Sequence, residues 1–306
     1  MPRELLADVD LASPVDSLVR WITSTLDPVF DLVSDATSFF VTALTDVLTG
    51  PPAAALIALF TLLALTIRGW SLAVFTALAF LLVDQMGFWS ETMQTLALVL
   101  IAAGVAIALG VPFGLLAARS RAVSATMRPI LDFMQTMPAF IYLLVAVIFF
   151  RVGVVPGVVA SVIFALPPAV RLTELGIRQV DREVVEAADA FGSRTGQTLR
   201  QVQIPLAMPT IMAGVNQVIM LSLSMVVIAG LGGAPGLGAL VVRSVTRLEI
   251  GLGFESGLCV VILAIFLDRV TEAFRDRVSI EQRTTGTLLR QPATQRSTGE
   301  PRRARG

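Results

Sequence analysis

Glu186-Ala187-Ala188 is followed by Gly192 and, thirteen residues further on, by Pro205. These residue types make no bonds in a substrate. Glu186 on a short polar helix can pair with a basic residue of a partner protein, and the small Ala187 and Ala188 let that partner come close. Gly192 permits the backbone turn that ends the helix. Thr195 to Gln203 reads as a second short helix, with Val202 and Ile204 leading to Pro205, which is expected to stop it. The plainer reading of the same residues is a polar helical hairpin, with Glu186 solvated or paired four residues along its own helix.

A second group is polar and lies inside apolar sequence. Gln135, Thr136, Pro138 and Phe140 follow Met134. Pro138 must disturb a helix there and free a carbonyl. Broken helices at mid-membrane line transport pathways, although a proline kink also serves packing. Asn216, Gln217, Ser222 and Ser224 form a similar group, suited to lining a pathway or to hydrogen bonding between helices. Gly230 to Gly238 reads as a loop or re-entrant turn. It suits a flexible gate or docking loop, because it lacks the lysine of a phosphate cradle.

What is missing narrows the chemistry further. The chain has 23 basic residues, all Arg, with no Lys and no His. A P-loop needs Gly-Lys-Ser/Thr, so this chain hydrolyses no nucleotide through one. Schiff-base chemistry is excluded, as are histidine ligands and proton shuttles. Cys259 is the single cysteine, so no intrachain disulfide forms. No catalytic residue, metal site or nucleic-acid partner is expected. No cleaved signal peptide is evident at the start.

The elements that carry these residues are membrane helices. The chain is 55% hydrophobic and 15% charged, against about 25% charged in an ordinary soluble protein. The runs 92–118, 133–150, 152–170, 209–242 and 256–267 contain no Asp, Glu or Arg, as the cost of a mid-bilayer charge requires. Residues 53–67 and 71–83, separated by Arg68-Gly69-Trp70, read as a tight hairpin, each arm short for a full crossing. The result is about seven spans, centred near 60, 77, 104, 141, 162, 219 and 263.

Residues 1–50 hold eight acids and two Arg, with apolar positions at helical spacing. They read as an amphipathic helix broken near Pro28, lying on the membrane surface or packed on the core. Arg119, Arg121, Arg128, the Arg residues between 171 and 200, and the Arg-rich residues 275–306 fall on one side of a seven-span chain. The positive-inside rule makes that side cytoplasmic and the N-terminus external. The tail after about residue 280 is expected to be disordered.

The spacing from Glu186 to Pro205 resembles the coupling loop of ABC importer permeases. Wider stretches support this: Asp132-Phe-Met-Gln-Thr-Met-Pro-Ala-Phe140, Val155-Pro-Gly-Val-Val159, Ile163-Phe-Ala-Leu-Pro-Pro-Ala-Val-Arg171, Pro205 to Gln217, Leu223 to Ile228, and Ile262 to Arg269. They resemble permease subunits of glycine betaine/proline betaine importers from about Glu91 to Thr271, and more weakly through the N-terminal extension.

The resemblance implies an all-α integral membrane protein with the type I permease fold. Residues 1–50 are then an external extension, 51–88 two peripheral spans, 89–272 the permease core with its coupling loop at 172–208, and 273–306 a basic cytoplasmic tail. A second permease copy would complete the pathway in the lipid of a prokaryotic plasma membrane. A cytoplasmic ATPase dimer would hold ATP and Mg²⁺, none being bound by this chain. An external binding protein would deliver glycine betaine, proline betaine or a related solute such as choline or carnitine, since too little sequence follows the last span for a fused one. Trp21, Trp70, Trp89 and Tyr142 are too scattered for an aromatic cage, so selectivity is expected in the binding protein. A secondary transporter driven by H⁺ or Na⁺ is the reading from another class. The uncharged runs argue against proton coupling, and a neighbouring ATPase gene would separate the two.

Overall fold

The structure is a computed structural model that describes the backbone of residues 12–289 and side chains as far as residue 275. The expected external start before residue 12 and the basic tail after 289 lie outside the described residues. The described part is helical, with no strand.

Two short apolar helices open the membrane region. Helix α2 (Ala53–Arg68) and α3 (Trp70–Gln85) pack side by side, and the chain turns at Gly69 between them. Each has 16 residues, about 24 Å of helix, short of a hydrocarbon layer of about 30 Å. Helix α4 (Trp89–Arg119) covers the first long uncharged run and ends where arginine returns.

The core is built on α4, α7 (Val154–Arg178) and α10 (Ile204–Ala229). Apolar packing between helices gains little from lipid exclusion, so close backbone approach has to hold them. Small residues provide it: a Cβ on Gly110 would stand 2.3 Å from Ala169 Cβ, and one on Gly114 2.6 Å from Thr173 Cβ. Helix α12 (Ile250–Leu289) closes the bundle against α10 and continues through residues 280–289, where disorder is expected from composition.

Among the described residues five helices are long and apolar enough to cross a membrane, and a bent pair makes six. The expected spans near 104, 162, 219 and 263 are among them, and the span near 141 is the bent pair: α5 (Arg121–Thr136) and α6 (Ala139–Phe150) meet at 99°. Pro138 therefore ends one helix and begins another instead of kinking a single span.

The fifth long helix is α1 (Ala12–Thr49). It runs unbroken through Pro28, contrary to the expected break. Proline removes one N–H, and the carbonyl it frees is that of Ser24, which is exposed and open to other partners. Phe30 stacks on Phe149 with ring centroids 5.1 Å apart. Val41 and Leu48, further along α1, join the apolar cluster of Leu56, Met93 and Leu96. By connectivity, the end of α6 and the starts of α2 and α4 lie at the same end of the bundle. Helix α1 therefore runs across that end.

At this same end, residues 230–238 form the turn expected from their glycines, packed as a tight corner. A 3₁₀ turn (Gly230–Gly232) leads into α11 (Leu237–Arg247). The Leu237 N–H donates to Thr95 Oγ1 at 2.8 Å, and the Gly153 N–H donates to the Gly232 carbonyl at 2.9 Å. A Cβ on Gly230 would stand 2.3 Å from the Gly238 carbonyl carbon. The glycines are there because two backbones touch.

Candidate coupling surface and pathway

Helix α8 (Arg182–Ala190) carries Glu186, Ala187 and Ala188 and has no buried residue. It is nevertheless well fixed. Asp181 caps its start, its Oδ1 accepting the Glu183 N–H at 3.0 Å, which satisfies one of the unpaired first-turn donors. Its end is closed by Phe191 N–H donating to the Ala187 carbonyl at 3.1 Å and Ser193 N–H to the Ala188 carbonyl at 3.2 Å. Gly192 makes this closure possible with φ +81°, a left-handed conformation that side chains resist.

The second helix of the loop, α9 (Thr195–Thr198), is folded back onto α8. Thr198 Oγ1 donates to Asp189 Oδ1 at 3.1 Å. The expected stop at Pro205 does not occur. A π-helical turn over Leu199–Gln203 carries the chain straight into α10, with Pro205 in its first turn. The ring of Pro205 would crowd a regular preceding turn and lacks an N–H for it, and the widened π turn absorbs the change of pitch.

The loop is also tied to the bundle. Arg119, at the end of α4, donates to the Thr195 carbonyl at 3.2 Å. Arg178, at the end of α7, donates to the Ala117 carbonyl of α4 at 2.9 Å. The outer face of α8 is thus linked to the end of α4 through α9, yet stays open. Glu186 and Ala187 are exposed, and Phe191 is 92% exposed. The sequence reading passed over Phe191. An aromatic beside the turn glycine of a short polar-rich helix was the available signal.

Gln135, Thr136, Pro138 and Phe140 gather at the break between α5 and α6, and all four are exposed on this chain. Met137 and Pro138 are extended, as a residue before proline prefers. The Tyr142 hydroxyl, one turn into α6, donates back to the Met134 carbonyl and pins the bend. Asn216 is occupied differently: its Nδ2 donates to Asp268 Oδ1 of α12 at 3.1 Å. Gln217, next to it, is exposed.

Sequence reasoning missed Glu174 altogether. Its side chain is only 10% exposed and holds partners from two helices. It is the only acid between Asp132 and Asp181, one turn from Arg178.

The structure thus combines a helical bundle, an uncovered helix–turn loop and a bent span. The family model for the binding-protein-dependent transport system inner membrane component matches residues 110–280. The chain belongs to that family and is a multi-pass membrane permease subunit. It is similar to the glycine betaine transport system permease protein OpuAB of Bacillus subtilis, 50% identical over 89% of this chain and 95% of that protein. The glycine betaine/carnitine permease GbuB of Listeria monocytogenes is 54% identical over 70% of this chain and 76% of its own length. The glycine betaine/proline betaine permease ProW of Escherichia coli is 45% identical over 90% and 80%. In fold the chain is similar to a subunit of the MetNI methionine ABC transporter in an inward-facing form, with a TM-score of 0.58, 20% identity, and 64% of this chain and 98% of that one covered.

Proposed function

We propose that this chain forms the translocation pathway of an ATP-driven importer of betaine-type compatible solutes. The observation that carries the reading is the uncovered α8 surface, which folds on α9 and lies between α7 and α10 in the chain, with α9 held to the end of α4 by Arg119. A surface of that kind is useful only if something docks on it and moves the helices behind it. A separate ATPase dimer, holding ATP and Mg²⁺, is the fitting partner, because this chain has no lysine for a P-loop. The relatives' names point to glycine betaine first, with proline betaine and carnitine close behind.

A second permease copy covers the exposed break at Gln135, Thr136, Pro138 and Phe140, and an external binding protein delivers the solute. Closure of the ATPase pair pushes the coupling loop, and the attached helices rotate as rigid bodies between two states. Arginine at the α8 end of the bundle makes that end cytoplasmic. The end crossed by α1 then faces outward. The chain resides in a prokaryotic plasma membrane, with its N-terminus outside and its C-terminus in the cytoplasm.

Affinity purification of this chain from its own membranes tests the assembly. The proposal expects two copies of the permease with two ATPase subunits; a permease recovered without any nucleotide-binding partner would contradict it. Single cysteines in a Cys259→Ser background test orientation. A cysteine at position 35 should react with an impermeant reagent from outside, and reaction only from the cytoplasmic side would overturn the topology.

A further inference from the structure

The amphipathic helix α5 is held to the rest of the bundle by few buried groups, Ser124 and Leu131 alone. Ser124 is 4% exposed, and its Oγ donates to Glu174 Oε1 of α7 at 2.7 Å. The same carboxylate oxygen receives Arg178 Nε at 2.9 Å and lies 3.6 Å from Arg128 of α5. Arg178 in turn donates to the Ala117 carbonyl. One carboxylate thus joins α5 and α7, and through Arg178 it reaches α4.

The partners are not equivalent. Arg128 is 64% exposed, at the edge of a cavity of about 290 Å³ lined also by Leu131, Asp132 and Arg171. Asp132 and Arg171 make a second, exposed ion pair there. Exposed pairs contribute little. Glu174 also lines that cavity, but its bond to Ser124 is buried, and hydrogen bonds to ionised groups are the strong ones. That bond is the firm link.

Its position in the chain gives it a consequence. Glu174 lies one helical turn before Arg178, where α7 gives way to the coupling loop. Ser124 lies near the start of α5, twelve residues before Thr136 at the break. We infer that Glu174 is the positioning residue that makes α5, with Gln135 and Thr136 at its far end, follow the displacement of the coupling loop. When the inner end of α7 moves, the carboxylate pulls Ser124, and the rigid α5 carries the movement to the bend at Pro138. This inference rests on the importer reading above.

The test measures solute uptake and ATP hydrolysis together, in proteoliposomes holding the complete complex with its binding protein and glycine betaine as the probe. Glu174→Ala should assemble normally and keep hydrolysing ATP, while uptake per ATP falls about tenfold or more, the scale of one lost charged hydrogen bond. Glu174→Gln keeps an acceptor for Ser124 and should retain most of the ratio. Ser124→Ala should lower the ratio as well, and the double variant should be no worse than Glu174→Ala alone, because both remove the same bond. Should Glu174→Ala fail to assemble, Ser124→Ala, which loses only a hydroxyl, decides the matter. An unchanged ratio in Ser124→Ala overturns the inference. So does a loss of uptake and hydrolysis in proportion to complex recovered, which marks a merely structural role. A wild-type complex with no ATP-driven uptake would instead overturn the importer reading itself.

Discussion

Asn216 on α10 and Asp268 on α12 share a hydrogen bond of 3.1 Å between two membrane helices. Asp268 begins just beyond the uncharged run 256–267, so the amide meets a carboxylate at the edge of the apolar layer. Asn216→Ala strips that carboxylate of a donor, at a cost of about 1–3 kcal/mol. The expected result is a lower unfolding temperature in detergent and slower transport, with the ranking of substrates kept. A reordered ranking would give Asn216 a direct role in selectivity.

Gly114 and Gly104 lie on the same helix and make a controlled pair. A Cβ on Gly114 would stand 2.6 Å from both Thr173 Cβ and the Val170 carbonyl oxygen, whereas nothing lies within 4 Å of a Cβ on Gly104. Gly114→Ala should force α4 and α7 apart and destabilise by about 1–3 kcal/mol. Gly104→Ala should be neutral or stabilising, by up to about 1 kcal/mol from helix propensity. Thermal unfolding of the two purified variants checks this, and equal behaviour would refute the close-packing account.

At the coupling loop, Gly192→Val places a β-branched residue at φ +81°, which costs about 1–2 kcal/mol. No neighbour lies within 4 Å of the added Cβ, so the effect stays local to the end of α8. The chain should still enter the membrane, while ATPase binding in pull-down drops sharply. Ala188→Arg should do the same by bulk. Normal solute-stimulated ATP turnover in both variants would count heavily against the docking role.

How legible these features were depended on whether the signal was local. Charge exclusion marked the limits of α4, because the run 92–118 ends at Arg119. The spacing from Glu186 to Gly192 marked the short helix α8 and the turn that ends it, because cap and turn chemistry are local. Pro138 gave the place of the break but not its 99° angle, which the Tyr142 bond to Met134 helps to fix from across the bend. Gly230–Gly238 looked flexible because the partner surfaces, Thr95 and Gly153, lie far away in sequence. Glu174 stayed hidden for the same reason: its meaning comes from Ser124 on another helix. Pro28 misled because an exposed helix tolerates what a buried one does not.

Selectivity among solutes should reside outside this chain. Tyr142 lies at the α5–α6 break but is bonded to Met134, and Trp21, Trp70 and Trp89 are far from it in sequence, so a cage of several aromatic faces for a quaternary ammonium is not expected in this chain. Exchanging the binding protein for one of different specificity, with docking preserved, should change the substrate ranking. Gln217→Ala should slow transport without changing it. Competition assays with glycine betaine, proline betaine, carnitine and choline read both outcomes.

The most direct test of the account is the initial rate of labelled glycine betaine uptake into proteoliposomes containing this chain, its ATPase and its binding protein. Mg-ATP is either enclosed on the coupling-loop side or left out, and H⁺ and Na⁺ gradients are applied or collapsed independently. The account predicts uptake that requires enclosed Mg-ATP, ignores both ion gradients and is abolished by Ala188→Arg. Uptake that proceeds without ATP and follows an ion gradient would contradict it.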